Sequence, residues 1–75
     1  MLAFLICPVL KIVLNGDPYE LDGARTVAQL LAHLGIDARR VAVEHNLVVL
    51  KRALFDTTEI HDDDQIEIVN FVGGG

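Results

Sequence analysis

The segment "TVAQLLAHLGI" constrains the architecture more than any other part of the chain. Val27, Leu30, Leu31 and Leu34 fall at i, i+3, i+4 and i+7, which is one apolar stripe of an amphipathic helix. Thr26 is a natural N-cap, and Gln29 at the third helical position completes a capping box. Gly35 suits the left-handed position that ends a helix, with Ile36 placed for the hydrophobic contact that accompanies it. No other segment shows this period. A lone helix with a single stripe has nothing of its own kind to pack on, so the rest of the chain must supply an apolar sheet face.

The remaining segments have period two. "LKIVLNGDPYEL" reads as a β-hairpin: Leu10, Ile12 and Leu14 alternate with Lys11 and Val13, and Asn15-Gly16 forms a tight turn because both residues tolerate positive φ. Tyr19 and Leu21 then share one face of a second strand. "RRVAVEHN" places Val41, Val43 and His45 on one side, and "LVVLKR" reads as another short strand. "ALFDTTEIHDDD" is turn-like, with Leu54, Phe55 and Ile60 as its buried anchors. "QIEIVNFV" is the last strand, with Ile66, Ile68 and Asn70 on one side and Glu67, Val69 and Phe71 on the other. The expected fold is α+β: a mixed four- or five-stranded sheet crossed by one main helix, with the last strand lying centrally beside the first.

Seventy-five residues make a single domain with one small core and no room for a deep cleft. A hydrophobic content of 52% argues for a folded chain. The net charge of −5 and only six dispersed basic residues speak against nucleic-acid binding, which needs clustered Lys and Arg. An acidic surface suits solubility or a basic protein partner. The single cysteine, Cys7, has no internal partner and fits a reducing cytoplasm. "MLAFLICP" lacks the basic lead and small-residue cleavage site of a signal peptide and is too short to span a membrane. Residues 1–9 are therefore expected to be an apolar extension that lengthens the first strand or is disordered.

Several side chains invite sharper readings. His33, His45 and His61 lie on a helix, a strand and a loop without ligand spacing, so no metal site is expected. "HDDDQ" lacks the glycine and distal glutamate of a calcium loop and reads as a solvated acidic turn. Cys7 has no cation or base beside it and reads as an inert thiol. Arg39, Arg40, Lys51 and Arg52 form either a small basic patch or ordinary paired surface charges. Phe71 has two placements, packed on the sheet edge or exposed as a docking anchor beside Val72, since aromatic residues are favoured at such anchors.

The order hairpin, helix, strand, short strand, strand resembles the β-grasp arrangement of ubiquitin. With the closing "FVGGG" it is similar to the ubiquitin-like sulfur carriers, specifically the ThiS family of thiamine biosynthesis. The resemblance is carried by "KIVLNGDPYEL", "TVAQLLAHLGI", "RRVAVEHNLVVLKR" and "DQIEIVNFVGGG" and covers residues 10–75. Leu47 stands where the family usually has Gly, Lys51 where it has Pro, and Asp63 where it has Gly. Leucine is poor at positive φ and aspartate tolerates it better, so those turns are left open.

The resemblance implies a carrier domain over 10–72 and a flexible functional tail over 73–75. It implies that a separate E1-like, ThiF-type adenylyltransferase uses ATP to adenylate the carboxylate of Gly75. A sulfur donor protein then displaces AMP, and the resulting thiocarboxylate passes its sulfur to a ThiG-type thiazole synthase. Gly73 and Gly74 would thread into the partners' active sites, where residues without Cβ atoms fit a narrow channel. The chain itself would be a cytoplasmic substrate, not an enzyme, with no bound cofactor and no contact with membrane or nucleic acid. Four readings compete: a molybdopterin-synthase small-subunit-like carrier, a carrier that delivers sulfide to another acceptor, a ubiquitin-like protein modifier, and a plain β-grasp interaction domain with an idle tail.

Overall fold

The structure, a computed structural model, describes residues 9–71. Residues 1–8, with Cys7, and residues 72–75, with Val72 and all three terminal glycines, lie outside the described residues. The strands are β1 (Val9–Leu14), β2 (Asp17–Asp22), β3 (Val41–His45), β4 (Val48–Leu50) and β5 (Gln65–Asn70), and the helix α1 is Val27–His33. They form one five-stranded sheet in the order β2-β1-β5-β3-β4. β1 and β5 run parallel at its centre, and every other pair is antiparallel. Among the described residues this is the mixed sheet crossed by one α-helix of the β-grasp fold, with the last strand beside the first as expected.

Local chemistry accounts for the element ends. Asn15 and Gly16 sit at φ 50° and 86°, the left-handed values that a two-residue hairpin turn needs. At the start of α1 the Gln29 N–H donates to Thr26 Oγ1 (3.2 Å), and Gln29 Oε1 accepts from the Thr26 N–H (3.1 Å). That completes the capping box. Leu34 is the C-cap, and Gly35 comes next at φ 72°. The Ile36 N–H then reaches back to the Leu31 carbonyl (2.9 Å), satisfying a group that the helix end would leave unpaired. The helix therefore stops one residue short of the expected Leu34.

The register separates the two faces of the sheet, because successive strand residues point to opposite sides. Ile12, Leu21, Val41, Val43 and Ile66 face inward and are buried, and Val27, Leu30 and Leu31 of α1 close over them. Phe55 and Ile60 complete the core from the segment between β4 and β5. The same segment takes up amides at the helix start: the Val27 N–H donates to the Thr58 carbonyl (3.1 Å) and the Ala28 N–H to the Phe55 carbonyl (2.9 Å). Leu54 differs from expectation. It is 47% exposed, because it lies in the short 3-10 turn Arg52–Leu54, which turns Phe55 inward in its place. Asn70 is likewise exposed rather than sharing the burial of Ile66.

Candidate functional site

The end of β5 is the natural place for a site, since the chain leaves the sheet there. Asn15 of the first hairpin secures it. Its Oδ1 accepts from the Ile68 N–H (2.7 Å), and its own N–H donates to the Ile66 carbonyl (2.9 Å). One residue beyond the strand, the Phe71 N–H donates to the Arg40 carbonyl (2.9 Å). The backbone is thus held as far as Phe71, beside the start of β3. Val72, Gly73, Gly74 and Gly75 come after it, outside the described residues.

Among the described residues nothing packs over the sheet face away from the helix. In the register Ala42 stands opposite Val69, and Glu44 stands opposite both Glu67 and Val49. The solvent side of an antiparallel sheet is ordinarily polar. Here Val49 is 69% exposed, Val69 58% and, at the next outward position, Phe71 63%. Phe71 is therefore exposed rather than packed on the sheet edge. The sequence carried the signal for this patch in "EIVNFV", where both phases of the alternation are apolar. Ile68 packs against the core, while Val69 and Phe71 of the other phase are exposed, and an exposed apolar patch often marks a contact surface. Val49 and Ala42 were not singled out from sequence, because only the strand pairing places them beside Val69.

A second cluster lies at the other end of β5. His45 Nε2 and Asp64 Oδ2 are 2.8 Å apart, with side chains 21% and 12% exposed. An ionised carboxylate only accepts, so the imidazole Nε2–H donates. Asp64 also accepts from the His61 N–H (2.9 Å) and from Asn46 Nδ2 (3.2 Å). Burial alone would raise the Asp64 carboxyl, but the bonds from His45, His61 and Asn46 outweigh it and hold the group below the usual carboxylate range. Asn46 in turn accepts the Gln65 N–H on its Oδ1 (2.9 Å). The network ties the β3–β4 turn to the start of β5. Its residues are spent on one another, so its role is structural. His33 and His61 are exposed and do not join it by side chain. Among the described residues no three His, Cys, Asp or Glu side chains gather as a metal site would require.

Of the basic residues, Arg39 is bound to Asp37 (3.2 Å), while Arg40, Lys51 and Arg52 are exposed. Lys51 has φ −69° and ψ 141°, values that proline also adopts, so lysine holds the same backbone there. Among the described residues no helix is long and apolar enough to cross a membrane.

Comparison with known proteins agrees with this geometry. The model of the ThiS family matches residues 12–75. The chain is 41% identical over 66 residues to the thiazole synthase of Paramagnetospirillum magneticum, covering 88% of this chain and 20% of that protein. It thus spans about a fifth of the length of the thiazole synthases it matches. It is 40% identical over 50 residues to the sulfur carrier protein ThiS of Bacillus subtilis, covering 67% of this chain and 76% of that one. The crystal structure of the thiamine biosynthesis protein ThiS from Geobacter metallireducens superposes with a TM-score of 0.77 at 40% identity, covering 88% of this chain and 100% of that one. A family match running through the fold and on to Gly75, together with the same fold in a solved relative, establishes that this chain belongs to the ThiS family.

Proposed function

We propose that the chain is a cytoplasmic sulfur carrier of thiamine biosynthesis, and that the Gly75 carboxylate is its working group. The observation that carries the reading is the family match, which extends through the three terminal glycines. A carboxylate is a poor electrophile because its charge is delocalised away from the carbon. An ATP-dependent adenylating enzyme of the ThiF type converts it to an acyl-adenylate, releasing pyrophosphate. The terminal sulfur of a persulfide on a donor protein then attacks the acyl carbon and displaces AMP, and a thiol reduces the S–S bond of the resulting acyl disulfide, which frees the donor and leaves a thiocarboxylate on Gly75 for a ThiG-type thiazole synthase. The matches to thiazole synthases support that last partner.

The chain's own contribution is presentation. β5 is clamped as far as Phe71, and the last four residues supply the reach. Gly73 and Gly74 put no side chain in the way where a partner's backbone must close around the segment. Phe71, with Val72 beside it in sequence, offers an apolar anchor at the base of that segment. The protein is a substrate of its partner enzymes. It binds no cofactor of its own in this reading, and ATP belongs to the adenylating enzyme.

The test is to incubate the chain with an adenylating enzyme of this type, ATP and a sulfur donor, then weigh the intact protein. Exchange of one oxygen for sulfur is the expected result. A product found instead as conjugates on lysines would make the chain a protein modifier, and a mass that never changes would defeat the carrier reading.

A further inference from the structure

Asn15-Gly16 carries chemistry beyond making a turn. The chain has three asparagines, and only Asn15 precedes a glycine; Asn46 precedes Leu47 and Asn70 precedes Phe71. A peptide nitrogen that has lost its proton can attack the side-chain carbonyl carbon of the asparagine before it. Glycine presents no Cβ to obstruct that attack. Asn15 and Gly16 are both exposed, so water has access to the pair.

The fold holds the reacting atoms apart. β1 and β5 pair only through Val13 with Gln65 and Leu14 with Ile66. Beyond that ladder Asn15 takes over: its N–H donates to the Ile66 carbonyl (2.9 Å), and its Oδ1 accepts from the Ile68 N–H (2.7 Å). Main chain and side chain of Asn15 are thus both tied to β5. Asn15 and Gly16 have φ 50° and 86°, the pattern of a type I′ turn, in which ψ of the first residue is about 30°. At that ψ the Gly16 nitrogen and the Asn15 Cβ stand nearly opposite each other across the Cα–C bond. Closing a five-membered ring needs them on the same side. The main chain must therefore rotate out of the turn before it can react, and that rotation breaks the hold on β5.

We propose that Asn15 is a self-modification site, silent while it holds β5 and reactive when the exit end of β5 lets go. Once free, the Gly16 nitrogen gives up its proton and forms a bond to Asn15 Cγ. The Cγ–Nδ2 bond breaks, and Nδ2 takes up a proton and leaves as ammonia. Water then opens the cyclic imide at either carbonyl, with no change of oxidation state. Opening at Cγ gives aspartate, which still offers an oxygen to the Ile68 N–H. Opening at the main-chain carbonyl gives isoaspartate, whose backbone is one carbon longer through the turn. A two-residue turn with the side-chain acceptor in place no longer forms, so the hold on β5 is lost irreversibly. The strand that fixes the base of the C-terminal segment thus carries a one-way release, set by how often its end opens. None of this chemistry depends on the carrier reading.

The experiment incubates the full chain at mildly alkaline pH, folded in buffer and unfolded in concentrated urea. Peptide mapping by mass spectrometry follows the gain of one mass unit at each asparagine, and amide exchange follows the Ile68 N–H. Asp22-Gly23 can rearrange through the same imide but gains no mass, so it does not register. In urea Asn15 should convert much faster than Asn46 and Asn70. In buffer its conversion should be slower by about tenfold or more, because only the open fraction reacts. Phe71→Pro removes the N–H that ties the exit end to the Arg40 carbonyl. It should speed Ile68 amide exchange and Asn15 conversion severalfold and in proportion, since both need the same opening. Thermal unfolding confirms that the variant is folded, and Val69→Gly, which loosens the same end by backbone entropy, takes its place if it is not. Conversion of Asn15 in buffer at the urea rate overturns the proposal. So does a folded variant that speeds Ile68 exchange while Asn15 converts at the wild-type rate.

Discussion

Asp64 does more for the fold than its place in an acidic run suggests. It accepts from His45, Asn46 and the His61 backbone, and so joins two turns and two strands. Its carboxyl is held below the usual range of about 3.9. A group depressed in the folded state contributes stability that is complete above the unfolded value and is lost as pH falls through the folded one. Asp64→Asn should therefore cost about 1–3 kcal/mol at neutral pH, the scale of hydrogen bonds to a charged group. The gap between wild type and variant should close as the solution is acidified below about pH 4. Denaturation midpoints across that range check it, and a gap of constant size would show that the carboxylate's charge is irrelevant. Leu47 presents the opposite case. It sits at φ 71° with its side chain 78% exposed, in a conformation that costs an L-residue about 1–2 kcal/mol. Leu47→Gly should raise stability by about 1 kcal/mol. A lower unfolding midpoint would mean that the leucine makes a compensating contact.

At the scale of elements, α1 is short, only seven residues, and an isolated helix of that length would not hold in water. It survives because Val27, Leu30 and Leu31 are buried against the sheet and its first amides are taken up by the Phe55 and Thr58 carbonyls. Leu30 has no exposed surface, so Leu30→Ala should destabilise by about 2–5 kcal/mol. A chemical denaturation curve with an unchanged midpoint would refute that placement. The helix was legible from sequence because cap, stripe and terminal glycine all agree. The segment from Ala53 to Ile60 was legible only in part. Phe55 and Ile60 do face the core, but Leu54 does not, since a short 3-10 turn has no periodicity long enough to tell which of two adjacent apolar residues points inward.

For the molecule as a whole, the proposed work is to hold the base of the C-terminal segment still while presenting its last residues to partners. The hydrogen bonds from Asn15 and Arg40 to β5 and Phe71 set that base, so the reach is counted in residues from a fixed point. Removing Gly75 shortens the reach by about 3.3–3.6 Å. Reacting atoms misplaced by about 1 Å can cost roughly a hundredfold in rate. Deletion of Gly75 should therefore abolish thiolation while leaving the unfolding midpoint unchanged, and Gly74→Val should impair it through its branched side chain. Intact mass after incubation with the adenylating enzyme reads both, and thiolation of the deletion at the wild-type rate would rule out this use of the terminus.

Capping residues, turn dipeptides and the two periodicities were enough to identify the helix, the hairpin and the inward set Ile12, Leu30, Val43 and Ile66, because those signals act over a few neighbouring residues, and the strongly apolar first and last strands pointed to their central placement. The family resemblance was equally legible, being written in contiguous motifs. What faces what across strands was not. The pairing of Glu44 with Glu67 and the bond between His45 and Asp64 join residues far apart in the chain. So does the gathering of Ala42, Val49, Val69 and Phe71 on one sheet face. Strand order and register decide these, and they are settled only when the whole core closes on the single helix.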